Sequence, residues 1–246
     1  MIVRLLAVFA LVLICARPLP AQQETPVDLE LVLALDASGS VNQQEFSLQL
    51  RGYAEAFRNP AVIQAITSGE TGVVAVTMMI WAGDRRDGTR VVADWAMING
   101  PESANSFVEA FTKTPRFMLR DGTSLSNAIE ISSKMFDTNT FRGSRKVIDI
   151  SGDGTNNVGY EPSIARDLAV KSGITINGLA ILTDFPDLDE YYAKSVVGGA
   201  GAFVIAAQNY DAFSAAILQK LVREISWRPA EHDPEFALAR LLRGER

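Results

Sequence analysis

"DLELVLALDASGSV", residues 28–41, sets an almost unbroken apolar run against an abrupt polar loop. The continuity of the run predicts a strand covered on both faces. The loop that ends it places one carboxylate, Asp36, and two hydroxyls, Ser38 and Ser40, among small residues. Asp, Ser and Gly are what turns are made of, so taken alone the loop reads as a turn. The rest of the chain has to decide whether it is more.

Working outward, Phe46, Leu50, Tyr53, Ala54 and Phe57 recur at helical spacing after a capping pair, Asn42 and Glu45, and stop near Pro60. "TGVVAVTMMIWAG" (71–83) is a second buried strand, and "TRVVADWAMI" (89–98) a third with more alternation. The short, polar, Gly-flanked "GDRRDG" between them reads as a hairpin turn, which makes the third strand an antiparallel edge. Residues 103–114 read as a helix, and the helix after "RDGTS" turns Leu125, Ala128, Ile129, Met135 and Phe136 inward. "RKVIDISGDG" (145–154) is a buried strand running into a Gly-rich turn. Pro162 opens a helix with Ile164, Leu168 and Ala169 expected to face the core. "ITINGLAIL" (174–182) and "AFVIAA" (202–207) are further strands, with helices around 188–197 and 210–225. This alternation predicts an α/β, doubly wound, Rossmann-like and mostly parallel sheet with one antiparallel edge strand and helices on both faces.

Length and composition fit that class. The chain has 246 residues, 48% hydrophobic and 21% charged, enough for one domain with a sizeable core. Residues 1–21 differ from the rest: a positive start, an apolar stretch too short to span a bilayer and "RPLPAQQ" as an exit, the pattern of a secretory signal peptide. The expected organisation is therefore a signal peptide over 1–21, one domain over 27–226 and a tail over 227–246, helical or disordered, that holds the lone His232. Cleavage would place the mature chain in the periplasm or outside the cell. It would also remove Cys15, the only cysteine, and with it any disulfide or thiolate metal site. Loss of Arg4 and Arg17 takes the net charge from −6 to −8, which disfavours nucleic acid and anionic membranes as partners.

In a doubly wound sheet, ligands bind beyond the carboxyl ends of the strands, where the strand order reverses. Asp36, Ser38 and Ser40 follow the first strand, Asp153 in "SGDGTNN" follows the fourth, and Thr123 in "DGTS" opens the intervening helix. In the order 3-2-1-4-5-6 the first and fourth strands flank the switch point, so these sets are expected to converge. Carboxylates and hydroxyls without histidine or thiol form an all-oxygen set, suited to Mg²⁺, Mn²⁺ or Ca²⁺ rather than Zn²⁺ or Cu²⁺. An ion with few charged ligands keeps net positive charge and a position open to a partner's carboxylate. Asp121, Asn156 and Asn157 read either as supporting groups around it or as plain turn and capping residues.

Asp36-Ala37-Ser38-Gly39-Ser40, then Thr123, then Asp153-Gly154 resembles the metal-ion-dependent adhesion site of von Willebrand factor A (VWA) domains, and the element order agrees from about Val27 to Ile225. "GITINGLAIL", "SGDGTNN" and "GGAGAFV" are similar to an uncharacterised family of secreted bacterial proteins built on that domain. The resemblance implies that Ser38, Ser40 and Thr123 touch the metal or its waters, and that Asp36 and Asp153 hold it mostly through water. Gly152 departs from the pattern, since many A domains have Thr there.

Rival readings are weaker. "SGDGTNN" also resembles the magnesium motif of haloacid-dehalogenase-type phosphatases, but their general acid would fall at Ser38, which cannot protonate a leaving group near neutral pH. Neither a Gly-x-Ser-x-Gly elbow nor a Gly-x-Gly-x-x-Gly loop follows a strand. A structural module with a vestigial metal site leaves the same residues as a working one. The reading adopted is an exported, non-enzymatic, Mg²⁺-preferring module that captures an acidic residue of another protein.

Overall fold

The computed structural model describes residues 24–85, 88–115 and 122–228. The expected signal peptide, residues 229–246 with His232, the hairpin residues Arg86 and Asp87, and Asp121 lie outside the described residues. A short strand β1 (Thr25–Val27) precedes β2 (Leu29–Asp36), the opening stretch, which is buried along its whole length. One charge inside it, Glu30, is satisfied rather than solvated: it accepts from Asn139 Nδ2 and Gly143 N, both at 2.7 Å.

Helix α1 (Gln43–Arg58) starts with the expected capping box, Asn42 accepting from Gln44 N and Glu45 N while Glu45 accepts from Asn42 N. It buries Phe46, Leu50, Tyr53, Ala54 and Phe57, as the spacing predicts. Pro60 then opens a further helix, α2 (Pro60–Thr67), capped by Asn59. Strand β3 (Val74–Trp81) is buried, and β4 (Thr89–Ile98) runs antiparallel to it with its exposure varying along the strand. After α3 (Pro101–Thr112) come α4 (Leu125–Met135), β5 (Phe141–Gly143), β6 (Lys146–Gly152), α5 (Pro162–Lys171), β7 (Ile174–Ile181), α6 (Leu188–Ser195), β8 (Val204–Ala207) and, past a 3₁₀ turn at Tyr210–Ala212, α7 (Phe213–Ser226).

The main sheet has six strands in the order β4-β3-β2-β6-β7-β8, all pairs parallel except β3 with β4. This is the expected mostly parallel α/β sheet with an antiparallel edge, and its order reverses between β2 and β6. Alternate residues of β2 serve opposite layers, as a period of two requires. Leu31, Leu33 and Leu35 pack with Phe46 and Phe57 of α1, Phe107 of α3 and Phe213 of α7. Val32 and Ala34 pack with Ile129 of α4, Ala169 of α5 and Tyr192 of α6. A separate two-stranded ladder joins β1 to β5, both too short to show a pattern in the sequence.

One expected face is corrected. Ala169 of α5 is buried as expected, but Ile164 and Leu168 are 52% and 60% exposed, and Pro162 and Ala165 are the other buried positions. Adjacent helical positions differ by about 100°, so choosing the larger side chains rotated the helix by one residue. Against α4 and α6, α5 presents alanines, whose small size permits close packing.

Candidate metal centre

The parallel pairing of β2 with β6 sets Leu35 opposite Ser151, so the two chains emerge from the sheet side by side. The first loop is folded by its own carboxylate: Asp36 Oδ1 accepts from Ser38 N at 2.7 Å, and Val41 N closes the turn on Ser38 O at 3.1 Å. Gln49 of α1 steadies it from below, donating from Nε2 to the Asp36 carbonyl at 3.1 Å. The hydroxyls then link the loops. Ser38 Oγ lies 3.2 Å from Ser40 Oγ, Thr123 Oγ1 lies 3.4 Å from Ser38 Oγ, and Ser40 Oγ donates to Asp153 Oδ1 at 2.8 Å. Asp36, Ser38, Thr123 and Asp153 are buried, whereas Ser40 is exposed and marks the open side. All five expected residues therefore meet in one cluster.

Thr123 is held there by the asparagines of the third loop. Asn157 Oδ1 accepts from Thr123 N at 2.8 Å, and Asn157 N donates back to Thr123 O at 2.9 Å. Ser124, the capping position of α4, makes no side-chain capping bond; Asn156 supplies it from across the cleft, its Oδ1 accepting from Leu125 N at 2.8 Å. Asn156 Nδ2 in turn donates to Val158 O and Tyr160 O. Both asparagines bind the backbone that carries the site.

The electrostatics leave a demand for positive charge. Burial, and next the Asp153 carboxylate, push the Asp36 pKa up to about 7, while hydrogen bonds from Ser38 pull the other way. Asp36 Oδ2 is buried and has no hydrogen-bond partner among the described residues. Asp153 Oδ2 accepts from Tyr210 OH at 2.9 Å. Burial, with the Asp153 and Asp36 charges, pushes the Tyr210 phenol far up; burial, with Asp36 and then Asp153, does the same to Tyr192. Both phenols stay protonated donors. Paired buried carboxylates, hydroxyls from two loops and an orphaned carboxylate oxygen fit a hard divalent cation. Among the described residues no group of three or more His, Cys, Asp or Glu side chains could hold a metal, so the hydroxyls are needed to complete this donor set.

Tyr192, Tyr210 and Gln49 were not singled out from the sequence, where each reads as an ordinary core or helix residue. Phe185 was also missed; it is 45% exposed, and its ring edge would lie 3.9 Å from a Cβ on Gly154, the residue after Asp153. The available signal was Gly152, a glycine where the motif carries a side chain: a Cβ there would stand 2.6 Å from Tyr192 OH and 2.8 Å from Asp36 Oδ2.

Similar folds occur among solved structures. Proximal thread matrix protein 1 from the mussel byssus is 13% identical, with a TM-score of 0.59 over 82% of this chain and 49% of that one. A second structure of it, with a zinc-occupied MIDAS motif, is 12% identical, with a TM-score of 0.55 over 82% and 49%. The pilus adhesin SpaC from Lactobacillus rhamnosus GG is 15% identical, with a TM-score of 0.58 over 81% of this chain and 31% of that one. The von Willebrand factor type A structure from Catenulispora acidiphila is 17% identical, with a TM-score of 0.54 over 81% and 43%. This chain thus spans half or less of the length of each. No curated protein sequence matches. A family model described as "protein of unknown function (DUF1194)" matches residues 26–229, so the chain belongs to that family, and its fold is that of a von Willebrand factor A domain.

Proposed function

We propose that this protein is an exported, divalent-cation-dependent protein-binding module, not an enzyme, and that Asp36, Ser38, Ser40, Thr123 and Asp153 hold the cation, Mg²⁺ being the best fit. The observation that carries this is the convergence of the five residues from three loops into one hydrogen-bonded cluster, in which Asp36 keeps a buried carboxylate oxygen, Oδ2, with no partner among the described residues. The bound ion supplies a positive, partly open coordination position. Around it the protein's own residues set the geometry: Gln49 and the Asp36 turn fix the first loop, Asn156 and Asn157 fix Thr123, and Tyr210 fixes Asp153. The chain is otherwise acidic, with a formal net charge of −6, so a cation is what allows this surface to attract an Asp or Glu side chain. Phe185 offers an apolar shoulder beside it. The zinc-occupied motif in the mussel protein and the pilus adhesin among similar folds support a metal site and an adhesive role. The phosphatase alternative has no support here, since Ser38 commits its hydroxyl to Ser40 and Thr123.

No helix among the described residues is long and apolar enough to cross a membrane, and export rests on the leader-like residues 1–21. Titration calorimetry of the mature chain with Mg²⁺ and Mn²⁺ tests the site. Saturable binding that disappears in Asp36→Ala and Asp153→Ala is expected; no heat at millimolar metal overturns the reading. Retention of an envelope protein that is lost with chelator and in Asp153→Ala then tests the adhesive role.

A further inference from the structure

Tyr192 reaches the site from α6, on the opposite face of the sheet from Gln49 and α1. It is buried completely, and its hydroxyl has no hydrogen-bond partner among the described residues. Asp36 Oδ2 is in the same condition. The two atoms converge on one point, the place where a side chain on residue 152 would begin: 2.6 Å from the phenol oxygen and 2.8 Å from the carboxylate oxygen. They are therefore within the span of a single bridging water, and Gly152 is what keeps the path between them open. Buried donors and acceptors are normally paired, and here a lone donor faces a lone acceptor.

We propose that Tyr192 is a positioning residue of the cation site, its phenol donating to Asp36 Oδ2 through one water and holding that carboxylate in its metal-binding orientation. The inference rests on the metal-site reading above. It also completes a symmetric arrangement. Asp153 has Oδ1 held by Ser40 at 2.8 Å and Oδ2 held by the phenol of Tyr210 at 2.9 Å. Asp36 has Oδ1 held by Ser38 N at 2.7 Å and Oδ2 addressed by Tyr192. Each carboxylate thus has one oxygen fixed by the first loop and one served by a buried tyrosine. A phenol suits this task because it donates without adding charge, so it orients the carboxylate and leaves its attraction for a cation intact. Groups that orient metal ligands in this way typically change affinity by about 10- to 100-fold when removed.

Calorimetric titration with Mg²⁺ of wild type, Tyr192→Phe, Gly152→Ala and the double variant, beside melting curves in chelator, tests the proposal. Tyr192→Phe keeps the ring and removes only the hydroxyl. The expected result is Mg²⁺ binding weakened about tenfold or more, together with a modestly lower melting temperature in chelator, because the buried Asp36 oxygen loses its donor. Gly152→Ala inserts a methyl between the two oxygens and is expected to weaken binding as well, and the double variant to be no weaker than the weaker single one. Mg²⁺ affinity of Tyr192→Phe within twofold of wild type overturns the proposal and leaves the metal reading standing. A lower melting temperature with unchanged affinity identifies a packing role and overturns it too. Failure of wild type to bind Mg²⁺ or Mn²⁺ overturns the metal reading itself and the inference with it.

Discussion

Asp149 lies midway along β6 and Asp153 just past its end, and each anchors a buried acidic cluster. In the lower one, Lys220 of α7 sits between two carboxylates, its Nζ 2.8 Å from Asp149 Oδ1 and 2.7 Å from Glu224 Oε1, with Asn177 donating to Glu224 at 2.7 Å. That cluster carries its own cation, and its three charged side chains are wholly buried. In the upper one, Asp36 and Asp153 meet hydroxyls and phenols, and among the described residues no Lys or Arg is bonded to either. The lower cluster is closed by a covalent part of the chain, whereas the upper one is open at Ser40 and, on the proposed reading, takes its positive charge from a bound cation. Burial pushes Asp149 up to about 7 and Asp36 up to about 7, but only Asp149 has an ammonium pulling it back.

The difference can be broken from either side. Lys220→Met strands two buried carboxylates, and removal of one partner from such a group costs about 3–5 kcal/mol. Urea unfolding is expected to show that loss with or without Mg²⁺; a variant rescued by Mg²⁺ would mean that the two clusters are not distinct. Asp36→Asn is expected to behave in the opposite sense. It removes a buried charge, so stability in chelator holds or rises. It also abolishes the metal response, which at a hundredfold excess over Kd amounts to about 2.7 kcal/mol in wild type. Differential scanning with and without Mg²⁺ measures both effects.

A pH series sharpens the contrast. Both Asp36 and Asp149 have folded pKa values raised from 3.8 to about 7, so between those limits the folded chain binds more protons than the unfolded one. Stability in chelator is therefore expected to fall as pH rises from 3.8 towards 7, and to flatten above it. Saturating Mg²⁺ binds the ionised form of Asp36, so its stabilising increment grows over the same window, while the Asp149 contribution is unaffected. Melting temperatures at fixed ionic strength check the sign; a metal increment independent of pH would remove Asp36 from the site.

The smallest effect concerns the third loop. Asn156→Ala removes the cap of α4, which costs about 1 kcal/mol, and loosens the backbone beside Thr123. A modest loss of Mg²⁺ affinity is expected by calorimetry, with the Lys220 cluster untouched.

Much of the upper cluster was legible because its residues are turn chemistry at strand ends. Asp36, Ser38, Ser40, Thr123 and Asp153 stand in interrupted motifs next to continuous apolar runs, and the strand order that brings them together follows from βαβ connectivity. Its outer support was not legible. Tyr192 and Tyr210 look like core aromatics, and what distinguishes them is the direction of one hydroxyl. The lower cluster left little sequence signal: Lys220 and Glu224 are an ordinary i,i+4 pair on α7, and they meet Asp149 and Asn177 only after α7 packs on the sheet. The expectation for Ile164 and Leu168 of α5 failed for a related reason: Ala165, beside the expected Ala169, is buried by the closeness of a neighbouring helix, not by its own hydrophobicity.

The sequence by itself determined the sheet, its antiparallel edge and the loops that carry the oxygen donors, because those depend on periodicity and on local backbone preference. Only the tertiary structure decided which buried carboxylates bring their own positive charge and which must find one outside. The pair that decides it, Lys220 with Asp149, joins residues far apart in sequence, and it is set by where α7 settles on the twisted sheet.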